Sequence, residues 1–128
     1  GMGGNIGTQS STIIVRGMAT GRINIGNELM IIIKELKTGL ILGVLYGIML
    51  GIFGSLRFLD TNPLIGIVVG LSICSSMIIA TGVGTLTPLV LRKLDIDPAI
   101  ASGPFVTTSI DILGVLIYFS IAGFLLQI

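Results

Sequence analysis

Charged residues cut this chain into a few long apolar runs. Residues 38–56 are 19 consecutive positions without a formal charge, residues 61–91 are 31, and residues 98–128 are another 31 interrupted only by Asp111. About 20 apolar residues carry a helix across the hydrocarbon core of a bilayer. Each run therefore predicts a membrane span, over about 38–59, 63–91 and 98–127. None resembles a signal peptide, since each lies inside the chain and lacks a cleavage pattern. Asp97-Pro98 reads as an N-cap followed by proline at the first helical position, which starts the last helix near Pro98.

Residues 1–20 follow another pattern. Asn5, Thr8, Gln9, Thr12 and Arg16 recur at steps of three or four, which gathers them on one face of a helix. Lipid satisfies neither amides nor charge, so such a face looks onto a water path or a polar partner. The abrupt polar start is what a helix truncated at its beginning would show. Residues 21–37 form a connector. Asn27 sits as an N-cap with Glu28 in the first turn. Leu29, Ile32, Ile33 and Leu36 mark an apolar face that suits the membrane interface before the chain bends up into the next span. The expectation is an all-α, polytopic transmembrane helical bundle, one domain over residues 1–128, with about four membrane helices of which the first is truncated.

Composition agrees with this picture. Hydrophobic residues make up 52%, charged residues only 10%, and the mean hydropathy is +1.08. A soluble globule carries near 25% charged residues. A lone cysteine, Cys74, excludes a disulfide scaffold, and the absence of histidine leaves little for zinc. The formal charge of +1 offers no basic field for nucleic acid. Arg16, Arg22, Lys34, Lys37, Arg92 and Lys93 fall on the side of the first and third connectors, while the second carries Arg57 alone. By the positive-inside rule, connectors 21–37 and 92–97 face the cytoplasm and the C-terminus faces outward, in a cell membrane protein.

Gly39, Gly43, Gly47 and Gly51 recur every fourth residue, and Gly66 and Gly70 repeat the device in the following segment. This spacing lets membrane helices approach backbone to backbone. Cys74 and the methionines read as packing filler.

Asp111 is the exception within an apolar run. Counted from Pro98 at ~1.5 Å per residue, it lies about 20 Å into the last helix, near mid-membrane. A carboxylate there costs at least ~2.5–3.5 kcal/mol and is kept where it meets a pore, a cation or a counter-charge. Thr107 and Thr108 precede it by one turn and Pro104 by two. Inside a helix Pro104 would leave the Ile100 carbonyl without its donor in a kinked turn. Hydroxyls, a bare carbonyl and a carboxylate on one stripe form an all-oxygen lining, which suits hard cations. A pore is the favoured reading. Asp111 as bundle glue bonded to the Asn5/Gln9 face, or as a proton relay, are the alternatives. An intramembrane enzyme would need a nucleophile–base pair or a metal cluster, and the sequence offers neither. A non-transporting assembly or structural subunit and a proton-coupled cation carrier remain open beside the channel.

Residues 3–10 (Gly-Gly-Asn-Ile-Gly-Thr-Gln-Ser) with Arg16, Lys34-Glu35 before the glycine stripe, residues 88–93 before Asp95-Ile96-Asp97-Pro98, and residues 104–111 (Pro-Phe-Val-Thr-Thr-Ser-Ile-Asp) with Gly114 and Tyr118 resemble the membrane domain of MgtE magnesium channels. The resemblance runs in order along essentially the whole chain. It implies a homodimer with five membrane helices per subunit, the second and fifth lining a central pore. The first segment here would be the second family helix, and Asp111 the carboxylate that recognises hydrated Mg²⁺. Asn5, Thr8 and Gln9 would line the pore with Pro104, Thr107 and Thr108. The family's first helix, its amino-terminal cytosolic domain and its paired CBS domain have no counterpart in this stretch, so the resemblance covers the conducting part alone. Mg²⁺ would be the transported and pore-bound ion, and Co²⁺, Ni²⁺ and Mn²⁺ are not separated from it by sequence.

Overall fold

A computed structural model describes residues 1–127, with every side chain among them but that of Ser102. Four α-helices follow one another: α1 (Met2–Ala19), α2 (Glu28–Arg57), α3 (Leu64–Lys93) and α4 (Pro104–Leu126), with a short 3-10 helix (Pro98–Ser102) ahead of α4. The described residues contain no strand. Three helices, α2, α3 and α4, are long and apolar enough to cross a membrane.

The bundle is organised around α3, which packs against α1, α2, α4 and the 3-10 turn, whereas α2 rests mainly on α3. The α2–α3 seam is made by the glycine stripe. A Cβ at Gly47 would lie 2.7 Å from the Gly70 carbonyl oxygen, and one at Gly70 would lie 2.9 Å from that of Gly47. Both distances are below contact, so only hydrogen fits at either position. The outward side of α2 carries Ile41, Val44, Ile48, Ile52 and Phe53, all exposed, as a lipid-facing helix requires. On α1 it is the small-residue face that is buried, through Gly4, Gly7, Ser10, Ser11 and Gly17 with Ile14. Gly7 meets α3, where its Cβ would come within 2.9 Å of the Ala80 carbonyl.

Two connections differ from the sequence expectation. The stretch 28–37 is no separate interfacial piece: α2 is one unbroken helix from Glu28. Asn27 does precede it, but the Asn27 side chain closes the turn before the helix rather than capping it. Its Oδ1 accepts from the Asn24 amide and its Nδ2 donates to the Arg22 carbonyl.

The second difference lies at 98–104. Asp97 does cap a helix start, its carboxylate accepting from the Ala99 amide at 3.0 Å, but the helix it starts is the 3-10 turn, which stops at Ser102. Gly103 is extended (φ −123°, ψ −156°) and Pro104 opens α4 as its first residue. The cause is Pro104 itself. It has no N–H to give a preceding turn, and its ring pushes the residue before it into the extended region. Pro104 is thus a helix start, and the expected kinked turn inside a helix does not form. Asp111 consequently sits seven residues, about 10 Å, into α4 rather than about 20 Å.

At the end of α3, Asp95 takes a left-handed conformation (φ 56°). The Ile96 amide then reaches back to the Leu91 carbonyl and the Asp95 amide to that of Arg92, the pattern of a Schellman cap. The first and third connectors meet at one end of the bundle. Glu28 pairs there with Arg92 and, at 3.5 Å, with Lys93. Arg92 also donates to the Ile23 carbonyl.

Candidate functional site

The face shared by α1 and α4 gathers the polar residues singled out in the sequence. The two helices run antiparallel. Gly4 lies against Asp111, Gly7 against Ile110, and the Ser11 hydroxyl donates to the Ala101 carbonyl at 2.8 Å. A Cβ at Gly4 would be 3.0 Å from Asp111 Oδ1, so this glycine lets the carboxylate rest against the α1 backbone. Asn5 and Thr8 flank that contact, with Gln9 one turn further along. On α4, Thr107 and Thr108 stand one turn before Asp111 and Pro104 two turns before.

Exposure separates this face from the packed one. Asn5, Gln9, Pro104, Thr108 and Asp111 are exposed, while Thr8 and Thr107 are half-buried. The Asp111 side chain is 55% exposed, which is high for a carboxylate on a membrane-length helix. Its Oδ1 is 3.9 Å from the Gly1 amino nitrogen. Among the described residues no lysine or arginine side chain pairs with it. Thr8 donates its hydroxyl proton to the Gly4 carbonyl (2.8 Å) and Thr107 to that of Pro104 (3.0 Å). With the protons turned inward, the hydroxyl lone pairs are left as acceptors. The face thus offers oxygen acceptors around one carboxylate, a surface that suits the hydrogens of a hydrated cation. No group of three His, Cys, Asp or Glu side chains that could hold a metal ion occurs among the described residues.

The 3-10 turn supports this face from behind. Its Ala101 is fully buried in a cluster with Ala80, Val106 and Ile110. Buried irregular backbone needs donors for its carbonyls, and Ser11 provides one for Ala101.

Sequence reasoning counted Ser10 and Glu35 among the residues of the family resemblance but gave neither of them, nor Ser11, a role. Glu35 is only 7% exposed, and its carboxylate accepts from the Ser10 hydroxyl at 2.8 Å, which ties α2 to α1. Within the sequence Glu35 looks like one more charge in a charged connector. Ser10 and Ser11 look like part of a polar stretch. The only available signal was that both serines fall in line with Gly4, Gly7, Ile14 and Gly17 on one helix face.

The family model of MgtE, described as a divalent cation transporter, matches residues 1–121. The chain is 41% identical over 122 residues to the magnesium transporter MgtE of Bacillus subtilis, covering 95% of this chain and 27% of that protein. It is 39% identical over 127 residues to the protein of that name from Thermus thermophilus, covering 99% and 28%. The corresponding figures for Enterococcus faecalis are 37% over 127 residues, again 99% and 28%. The chain therefore spans little more than a quarter of the length of these curated relatives. The apolar helices and these matches describe a membrane protein from a family of transporters rather than enzymes. From the order of its motifs and the match over residues 1–121, this chain belongs to the MgtE family of divalent cation transporters.

Proposed function

We propose that this chain carries Mg²⁺ across the cell membrane through a pore at the axis of a homodimer, with Asp111 as the selectivity carboxylate. The observation that supports this most is the exposed Asp111 side chain on α4, without a lysine or arginine partner among the described residues and flanked by the polar face of α1. An ionised carboxylate left toward lipid would be costly. A second copy facing it across a two-fold axis encloses the polar face and doubles the negative charge. Mg²⁺ gives up its water reluctantly and is usually held by one or two carboxylates with several waters retained. Two Asp111 side chains supply that charge, and Asn5, Thr8, Gln9, Pro104, Thr107 and Thr108 surround the hydrated ion with hydrogen-bonding groups and open backbone. The excess of Lys/Arg on connectors 21–37 and 92–97 puts that end in the cytoplasm and the C-terminus outside.

The test is Mg²⁺ flux into liposomes loaded with a Mg²⁺-sensitive dye. Asp111→Asn keeps the shape of the side chain and removes the charge. Its flux is expected to fall at least about tenfold, the effect of losing one or two charge-assisted interactions, with the dimer intact by light scattering. Cysteines placed at Asn5 and Thr108 in a Cys74→Ser background are expected to cross-link two copies, and control positions at Ile48 and Ile52 are not. Flux at the native level through Asp111→Asn moves selectivity elsewhere and returns Asp111 to a packing role. Flux that follows the proton gradient and saturates at low rates makes the protein a coupled carrier.

A further inference from the structure

The start of α2 carries Glu28, Lys34, Glu35 and Lys37, and the helix sorts these charges by sign. The two acids turn inward. Glu28 pairs with Arg92 and Lys93, and Glu35, buried, accepts from Ser10. The two bases turn outward. Lys34 and Lys37 are exposed, and neither ammonium group has an ion-pair partner among the described residues. Three residues apart on a helix, their Cβ atoms stand about 5–6 Å from each other, where like charges repel. Their face is the outer one: at steps of three or four they continue the stripe of exposed Ile41, Val44, Ile48 and Ile52.

Depth fixes what surrounds them. The uncharged run 38–56 centres on Gly47. Counted from there at ~1.5 Å per residue, Lys37 lies about 15 Å out and Lys34 about 20 Å. Hydrocarbon ends about 15 Å from the bilayer centre and the headgroups about 20–22 Å from it. Both lysines therefore meet the headgroup layer. Helical side chains lean toward the N-terminus, here away from the membrane centre, which is the direction in which lysine carries its charge to the interface. The two lysines border a groove of about 410 Å³ lined otherwise by Leu29, Met30 and Ile33. That apolar floor limits the water around the ammonium groups and strengthens their attraction for an anion.

We propose that this outer face of α2 seats an anionic phospholipid, with its phosphate between Lys34 and Lys37 and its acyl chains along Ile41, Val44 and Ile48. A zwitterionic lipid brings its own cation to a face that holds two cations and no acid, so it gains less. The inference goes beyond transport and requires only that α2 crosses the membrane, for which it is long and apolar enough.

The sequence contains no tryptophan, so Ile41→Trp supplies a single reporter one turn above Lys37. The purified protein carrying it is placed in bilayers containing dibrominated phosphatidylglycerol or dibrominated phosphatidylcholine, whose chains quench the indole on contact. The anionic lipid is expected to be preferred about tenfold, near the worth of two lysines at an anionic surface. Lys34→Gln/Lys37→Gln should bring the preference close to parity. Lys34→Arg/Lys37→Arg should keep it, and high salt should lower it. Both positions are exposed, so these variants should match the parent in helical circular dichroism. Equal quenching by the two lipids, or a preference that survives the double glutamine variant, overturns the proposal and leaves the face to an acidic protein segment or a second copy. Millimolar inorganic phosphate at matched ionic strength should not reduce the preference, because it has no chains to lie on the Ile41 stripe. If it does, the lysines hold a free anion and the lipid assignment is overturned.

Discussion

The Ser10–Glu35 hydrogen bond gives a stability prediction that can be worked in numbers. Ser10 is 3% exposed and Glu35 7%, and the 2.8 Å bond between them joins α1 to α2, two helices that otherwise barely touch. No lysine or arginine among the described residues forms an ion pair with Glu35, although Lys34 and Lys37 are neighbours on its own helix. The carboxylate therefore depends on the Ser10 hydroxyl for its polar contact. Removing the donor by Ser10→Ala leaves a buried carboxylate oxygen without it. A hydrogen bond to a charged group contributes about 1.5–3 kcal/mol. A loss of about 2 kcal/mol lowers the folded-to-unfolded ratio about thirtyfold. Glu35→Gln keeps an acceptor of nearly the same shape and should cost less than half as much. Glu35→Ala should equal or exceed Ser10→Ala. The assay is equilibrium unfolding in mixed micelles by SDS titration, followed by helical circular dichroism, with the double variant closing a thermodynamic cycle. The coupling is expected above about 1 kcal/mol. Coupling below about 0.3 kcal/mol, or a Glu35→Gln as damaging as Glu35→Ala, would refute the argument that this bond fixes α1 against α2.

Two further outcomes follow from the packing. Gly84→Ala puts a methyl group into the backbone carbonyl of Gly7, and neither element is a flexible side chain. It is expected to destabilise by about 1–3 kcal/mol through overpacking, seen in the same SDS titration, whereas Gly82→Ala, which meets only Leu36 at 3.6 Å, should stay within about 1 kcal/mol. Glu28→Gln removes the partner of Arg92 and Lys93 from a carboxylate whose side chain is 13% exposed. It should cost about 1 kcal/mol at low ionic strength and less at high salt, because Lys93 and part of Arg92 are open to screening. A salt-independent cost would mean that packing of the Glu28 stem carries the effect.

That the chain carries three long apolar helices was legible because charges set the apolar runs apart. The glycine stripe likewise announced the α2–α3 seam, since a four-residue period of glycines has few other uses in a membrane helix. The region 98–104 was not legible in the same way. Asp97-Pro98 and Gly103-Pro104 are both good helix starts, and both are used, the first for a 3-10 turn held by the burial of Ala101 and the second for α4. Choosing between one helix and two required knowing that Ser11, 90 residues away, serves the Ala101 carbonyl. The depth of Asp111 changed with that choice. The role of Glu35 escaped for a related reason: its significance lies in the partner it has across helices, and a single chain written out linearly carries no sign of it.

The central position of α3 bears on how the molecule assembles. Helices α2 and α3 are joined by six residues and share the most extensive interface. Their pairing is local in the chain and closes a short loop, the kind of contact that forms early. The main partners of α1 are α3, the 3-10 turn and α4, with α2 joined through the Ser10–Glu35 bond, and all are made after it. Its hydrogen bond to Ala101 must await nearly the whole sequence. The order of synthesis and the order of docking are therefore opposed. The helix that leaves the ribosome first among those described is completed only when the last arrives, and the polar α1/α4 face comes into being as the final act of folding. A chain stalled before residue 98 would hold a finished α2–α3 hairpin and no Asp111 beside Gly4. In this architecture, the contact that rests Asp111 against Gly4 is acquired at the end of biogenesis.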